Sequence, residues 1–176
     1  MLAVSAVFAR QQVKYVLIGG LRIGVHGQGR ATEDADFLLH IPALQRPPLL
    51  EAMAEAGCTV DVVQSIRDWN DGGMLVVLGP GGVHIDCLKA VSHCSIASSN
   101  EHVPKLFGSQ VVRVADAEGL LLLKLIAFRS LDQEGIRGIL AANVGRLGLD
   151  WVRHEATLAG LDPNRMAEFE GMVQEF

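Results

Sequence analysis

The stretch from residue 15 to residue 39 constrains the fold of this chain more than any other part of the sequence. It begins with Tyr15–Ile18, a β-branched and aromatic run that is typical of a buried strand and stops at Gly19 and Gly20. A short helix and a glycine-rich turn can follow, and the next apolar run, Ala35–Ile41, predicts a second strand. The stretch therefore indicates the start of an α/β sheet.

Two aspartates, Asp34 and Asp36, stand at the start of this second strand. Residues two apart on an extended strand point to the same face, so the two carboxylates project together. Like charges side by side are costly unless a cation lies between them. Oxygen ligands of this kind suit Mg²⁺, which takes one or two carboxylates together with phosphate oxygens and water. Taken alone, the pair is equally compatible with a solvated strand start.

A third aspartate, Asp86, interrupts the apolar run Val83–Leu88. The turn at Gly79–Gly82 predicts that this run forms a hairpin with Met74–Leu78. A shared metal with the paired carboxylates would explain a charge in this strand, and a charge that protects an edge strand is the alternative.

The diglycine at Gly19 and Gly20 has a use that complements the carboxylates. Without Cβ atoms, this backbone can approach a phosphate closely, and the helix that follows offers free N–H groups. A tight turn between strand and helix is the simpler explanation of the two glycines alone.

The remaining pattern predicts an α/β half, about residues 1–114, and a helical half, residues 115–176. In the first half we expect helices at 2–12 and 49–56, strands at 59–63 and 111–114, and a loop with short pieces of structure at 91–110. In the second half Asp116 is a good N-cap for a helix from Ala117 to about Ser130, and three more helices are expected at 136–146, 150–160 and 163–175.

Composition excludes several classes of protein. Apolar residues make up 49% of the chain and the mean hydropathy is +0.29, which excludes a disordered protein. The net charge of -5 argues against bulk binding of duplex DNA. Three cysteines without a CxxC pair favour a reducing cytoplasm over a disulfide framework. We see no signal peptide and no membrane span, so we expect a soluble cytoplasmic protein.

The order of these features resembles a known superfamily. The diglycine, then Asp34-Ala-Asp36 between apolar residues, then Asp86 on a later strand resemble the nucleotidyltransferases of the DNA polymerase β type. The longer blocks Tyr-Val-Leu-Ile-Gly-Gly and Gly-Arg-Ala-Thr-Glu-Asp-Ala-Asp most resemble small bacterial nucleotidyltransferases related to the AbiEii toxins. Residues 114–132 are similar to the downstream helix of these proteins, which carries a lysine and an aspartate. The resemblance covers residues 10–135.

This resemblance implies an α+β fold with a mixed sheet flanked by helices, and a nucleotidyltransferase activity. Asp34, Asp36 and Asp86 would be the catalytic residues and would hold Mg²⁺, with two ions expected. The substrate would be ATP or another nucleoside triphosphate (NTP), which loses pyrophosphate as its nucleoside monophosphate passes to an acceptor hydroxyl. Arg30 and Lys124 would neutralise the triphosphate beside the diglycine. A lysine that extends its ammonium into water is an equally good interpretation of Lys124.

The resemblance leaves the acceptor open. A tRNA or a protein is expected from the toxin-type relatives, with a possible antitoxin partner. An aminoglycoside-like small molecule is the alternative, which an acidic chain suits, and a non-catalytic module that binds a nucleotide or a partner is a third. The chain departs from the family pattern at Arg22, and at Gly135 where an acidic residue is common. Arg129 and Asp132 lie three apart, so we expect them to pair on the helix surface.

Overall fold

The computed structural model describes residues 2–19, 34–90, 103–107 and 110–176. The first part of the chain carries α1 (Leu2–Arg10), β1 (Lys14–Gly19), β2 (Ala35–His40), α2 (Arg46–Glu55), α3 (Val62–Gly72), β3 (Met74–Leu78), β4 (His84–Lys89), β5 (Val103–Phe107) and β6 (Gln110–Val114). The second part carries α4 (Ala117–Ala127), α5 (Ser130–Ala142), α6 (Leu149–Leu158) and α7 (Pro163–Val173). Short 3-10 turns lie at Ala43–Gln45 and Pro80–Gly82.

The described strands form one mixed sheet in the order β3-β4-β2-β1-β6-β5. The pairs β1/β2, β3/β4 and β5/β6 are antiparallel, whereas β2/β4 and β1/β6 are parallel. The predicted hairpin is present as β3 and β4, joined through Pro80–Gly82. The α+β architecture with a mixed sheet is therefore confirmed.

One face of the sheet forms the larger hydrophobic core, together with residues of α1, α2 and α3. Alternate positions of β1 and β2 point into it, so Tyr15 and Phe37 meet Phe8 of α1 in a cluster of three aromatic rings. Ring centroids lie 5.2–5.9 Å apart, within the range at which tilted and edge-to-face pairs are favourable. This packing fixes which residues of each strand are left on the opposite face.

Contacts divide the described residues into two compact units, one ending at Val114 and one running from Ala115 to the C-terminus. The second unit has its own core, which is built from side chains of all four of its helices: Leu121, Leu125, Ile136, Leu140, Val152, Phe169 and Met172. None of the helices in the described part of the chain is long and apolar enough to cross a membrane.

The predicted strand at Thr59–Val63 is wrong. Thr59 makes a single bridge to Leu78, and α3 begins at Val62. The side chain of Asp61 accepts a hydrogen bond from the backbone N–H of Gln64 at 3.0 Å, so it caps this helix. A capping aspartate was the sequence signal that this stretch contained, and it outweighs the β propensity of its valines.

The bounds of two predicted helices are corrected. The helix expected to reach Ser130 ends at Ala127, because Phe128 adopts a left-handed conformation with φ 51°. A new helix, α5, then begins at Ser130 rather than at residue 136. Within the expected loop 91–110, Val103–Phe107 forms strand β5, which pairs with β6.

Candidate functional site

Asp36 and Asp86 are brought together by the register of the sheet. They are direct partners in the parallel pair β2/β4, although fifty positions of sequence separate them. On either side, Gly19 of β1 pairs with Asp36, and Val76 of β3 pairs with Asp86. The four residues form one row across neighbouring strands, which lie about 5 Å apart. We call this row the carboxylate row.

Alternation determines the face on which the two carboxylates lie. Ala35 and Phe37 flank Asp36, and both belong to the core on the helical face of the sheet. Ile85 and Cys87 flank Asp86 in the same way. The two aspartates are therefore on the opposite face, where both are half-buried.

The surroundings of the carboxylate row are partly open to solvent. Asp34 lies outside the row, directly before β2 and two positions before Asp36, and it is exposed. Val76, at one end of the row, lies on the edge strand of the described sheet and is 51% exposed. The register of β1 and β2 shifts between Leu17 and Gly19, an irregularity of the kind that often re-aims groups beside active sites.

The charges of the carboxylate row affect the pKa of Cys87, which lies on the other face of the sheet. Its thiol is fully buried. Burial raises its pKa well above the ordinary value, and the negative charges of Asp86 and Asp36 add to this effect, as does Cys58. The thiol therefore stays protonated at neutral pH. Cys87 therefore behaves as a small residue of the core.

The donor set of the carboxylate row suits Mg²⁺ better than a softer metal, because it consists of carboxylate oxygens. In residues 2–19, 34–90, 103–107 and 110–176, no three side chains of His, Cys, Asp or Glu already lie close enough to hold a metal ion together. Mg²⁺ commonly takes only one or two carboxylates from a protein, and its other ligands are phosphate oxygens and water. The pair Asp36 and Asp86 meets that need without a third protein ligand.

Two predicted nucleotide-binding residues, Gly20 and Arg30, lie outside the described part of the chain. Arg22, where the chain departs from the family pattern, lies outside it too. Of the diglycine, the structure describes the backbone of Gly19, which is the partner of Asp36.

Lys124 lies in the helical unit, near the end of α4, and its ammonium faces a carboxylate. Its Nζ is 3.5 Å from Oδ1 of Asp132, and its side chain is 31% exposed. The side chain of Lys124 is thus partly exposed. The predicted pair of Arg129 and Asp132 also forms, with Nε 2.7 Å from Oδ2.

The location of that pair needs a correction. Asp132 is buried and not on the helix surface. Arg129 is the residue that precedes α5, and its backbone N–H donates to Oδ2 of Asp132 at 3.1 Å, so the carboxylate caps the helix. Burial by itself would raise the pKa of Asp132, but the hydrogen bonds from Arg129 and the charges of Lys124 and Arg129 outweigh it and lower the pKa.

The fold is similar to that of two solved structures. The antibiotic-resistance factor ANT(2'')-Ia aligns over 99% of this chain and 95% of its own, with a TM-score of 0.52 and 15% identity. An antigenic nucleotidyltransferase-like protein from Paracoccidioides brasiliensis aligns over 96% of this chain and 90% of its own, with a TM-score of 0.46 and 13% identity. No protein-family model matches the sequence, and no curated protein does. The first likeness confirms the nucleotidyltransferase-type fold predicted from the sequence.

Proposed function

We propose that this chain is a Mg²⁺-dependent nucleotidyltransferase, which moves a nucleoside monophosphate from an NTP to an acceptor hydroxyl. The observation that carries the proposal is the carboxylate row, in which Asp36 and Asp86 are direct partners on one face of the sheet and Gly19 lies next to them. Two carboxylates at adjacent positions destabilise a sheet unless they have a cation to bind. A nucleotidyltransferase-type fold with this pair supports metal binding at the row.

Each residue has a defined part in the proposed reaction. Asp34, Asp36 and Asp86 would hold Mg²⁺, which when bound neutralises the triphosphate and assists departure of pyrophosphate. Asp86 would also accept the proton of the acceptor hydroxyl, while the oxygen of that hydroxyl forms a bond to the α-phosphorus. The bond from that phosphorus to the bridging oxygen of the β-phosphate breaks, and pyrophosphate leaves. Lys124 would donate to the triphosphate, and the backbone at Gly19 would allow the phosphates a close approach.

Two lines of argument favour different acceptors. The resemblance to AbiEii-type enzymes favours a hydroxyl of a tRNA or a protein, with an antitoxin as a partner of this chain. The structural likeness favours a small molecule, since the antibiotic-resistance factor aligns over nearly the whole of both chains, the helical part included. A net charge of -5 suits a cationic acceptor such as an aminoglycoside better than it suits RNA. The first acceptor class is our proposal and the second is its rival.

Transfer of labelled nucleotide tests the reaction and the acceptor together. The purified chain is incubated with each α-³²P-labelled NTP and Mg²⁺, and with total tRNA, cell protein or a panel of aminoglycosides. We expect label to pass to one acceptor class in the wild type. The variant Asp36→Asn should lose transfer on the order of a thousandfold or more, because one ligand of the metal that would stabilise the charged transition state is gone.

The matched control is Glu51→Gln, which removes an exposed carboxylate from α2 in the same unit. It should transfer label at the wild-type rate. Binding of NTP without transfer to any of the three acceptor classes would favour the non-catalytic module instead. Equal transfer by Asp36→Asn and the wild type would exclude the carboxylate row as the site.

A further inference from the structure

Gly135 leaves the space in which the side chain of Lys124 lies. A Cβ atom built on Gly135 would stand 2.7 Å from Cε, 2.8 Å from Nζ and 3.0 Å from Cδ of that lysine. These distances are shorter than van der Waals contact, so Lys124 occupies the position that any other residue at 135 would fill. Gly135 is also buried within α5, where a glycine costs helix stability. Its presence there is explained by the path of the lysine.

The ammonium end of Lys124 is held by a carboxylate that is itself fixed. Asp132 accepts two hydrogen bonds through Oδ2, from the backbone N–H and from Nε of Arg129. Its other oxygen, Oδ1, faces Lys124 at 3.5 Å. A carboxylate that is buried and anchored in this way has little freedom to turn, so the ammonium is drawn to one place.

The contact leaves Lys124 able to bind an anion. A separation of 3.5 Å is longer than that of a strong charge-assisted hydrogen bond, about 2.7–2.9 Å. An ammonium has three N–H donors, and a partly exposed side chain can offer them to a ligand. A lysine that is already ordered loses less conformational entropy when it binds than one that moves freely in water.

We propose that Asp132 and Gly135 are positioning residues, which together hold the Lys124 ammonium in place to receive the triphosphate. We call the three residues the lysine cradle. This inference rests on the proposed function, in which Lys124 is the residue that contacts the nucleotide. It also accounts for the departure from the family pattern at Gly135: here the lysine stem fills the space that a side chain would take.

A pair of glycine substitutions in one helix tests the cradle. Gly135→Ala inserts a methyl group where the end of a flexible side chain can move aside, so the fold should survive and the ammonium should be displaced. Gly138→Ala is the matched control, since a Cβ there meets nothing within 4 Å. Both variants replace glycine by a better helix former, so both should keep the wild-type melting temperature or exceed it by about 2–4 °C.

Affinity for the nucleotide should separate the two variants. With a non-hydrolysable NTP and Mg²⁺, we expect Gly135→Ala to bind about tenfold more weakly than the wild type, the loss of roughly one hydrogen bond to a charged group. Gly138→Ala should bind like the wild type. Lys124→Met should bind about ten- to a hundredfold more weakly, and adding Gly135→Ala to it should cost nothing more, because the lysine through which Gly135 acts is already gone. Equal affinity of the two alanine variants, or a full additional loss in the double variant, would overturn the inference.

The titration of Asp132 distinguishes failure of the cradle from failure of the proposed function. Its side-chain carboxyl can be followed by NMR in all variants without any nucleotide. Displacement of Lys124 removes a nearby positive charge, so the pKa of Asp132 should rise in Gly135→Ala and stay unchanged in Gly138→Ala. If the pKa rises but no variant, including the wild type, binds an NTP, the proposed function fails and the cradle does not serve a nucleotide. If the wild type binds and the pKa does not rise, only the cradle is wrong.

Discussion

The carboxylate row of the sheet and the lysine cradle of the helical unit place charges next to each other in opposite ways. In the row, two carboxylates are direct partners across parallel strands, and a third precedes one of them. In the cradle, a buried carboxylate lies among two cations and a helix N-terminus. Like charges repel each other in the first arrangement, whereas opposite charges attract each other and stabilise the fold in the second. This difference is the reason that we assign ligand binding to the row and fixed geometry to the cradle.

The comparison is tested most strongly at Asp86. Asp86→Asn keeps the size of the side chain and removes one of two like charges. We expect transfer of labelled nucleotide to fall on the order of a thousandfold, while the free energy of unfolding stays equal or rises by up to about 1 kcal/mol. Urea denaturation without Mg²⁺ measures the second quantity. A loss of several kcal/mol would show that the row is a structural element of the sheet.

Binding of Mg²⁺ should offset the repulsion between the two carboxylates of the row and stabilise the folded state. A ligand that binds only the folded state stabilises it by mass action, so Mg²⁺ with a non-hydrolysable NTP at about a hundred times Kd should raise the melting temperature by roughly 5–10 °C. EDTA should abolish this increase, and so should Asp86→Asn. An equal increase in Asp86→Asn and the wild type would place the metal elsewhere.

The smallest effect is expected in the cradle, and it depends on pH. Because the pKa of Asp132 is lower in the folded state, the stability that it contributes is present above its unfolded pKa and is lost as pH falls through the folded one. The advantage of the wild type over Asp132→Asn should therefore be largest at neutral pH and should shrink below about pH 4. Thermal unfolding from pH 7 to pH 2.5 measures it.

The control for this pH series is Glu134→Gln, which removes an exposed carboxylate from the same helix. Its difference from the wild type should be within about 0.5 kcal/mol at pH 7, as for most surface substitutions. A pH-independent difference between Asp132→Asn and the wild type would mean that Asp132 stabilises α5 by shape alone.

Local patterns predicted much of the fold. The strand before Gly19, the strand after Asp34 and the hairpin around Pro80 were all predicted from neighbouring residues. Strand alternation and turn chemistry act within a few positions, so one sequence is enough to see them. Where two local signals competed, the helix cap was the stronger one. Asp61 caps a helix at the place where valines had indicated a strand.

The candidate site could be predicted only in part from the sequence. The sequence alone predicted that Asp34 and Asp36 share a face, because residues two apart on a strand do so. In the structure Asp34 stands directly before β2. The position of Asp86 opposite Asp36 could not be predicted from the sequence, since register between distant strands depends on how the whole sheet packs. The same holds for the cradle. Lys124 contacts Asp132 because α4 ends at Phe128 and because Gly135 leaves space for the lysine side chain. The spacing of these residues along the chain does not predict that contact.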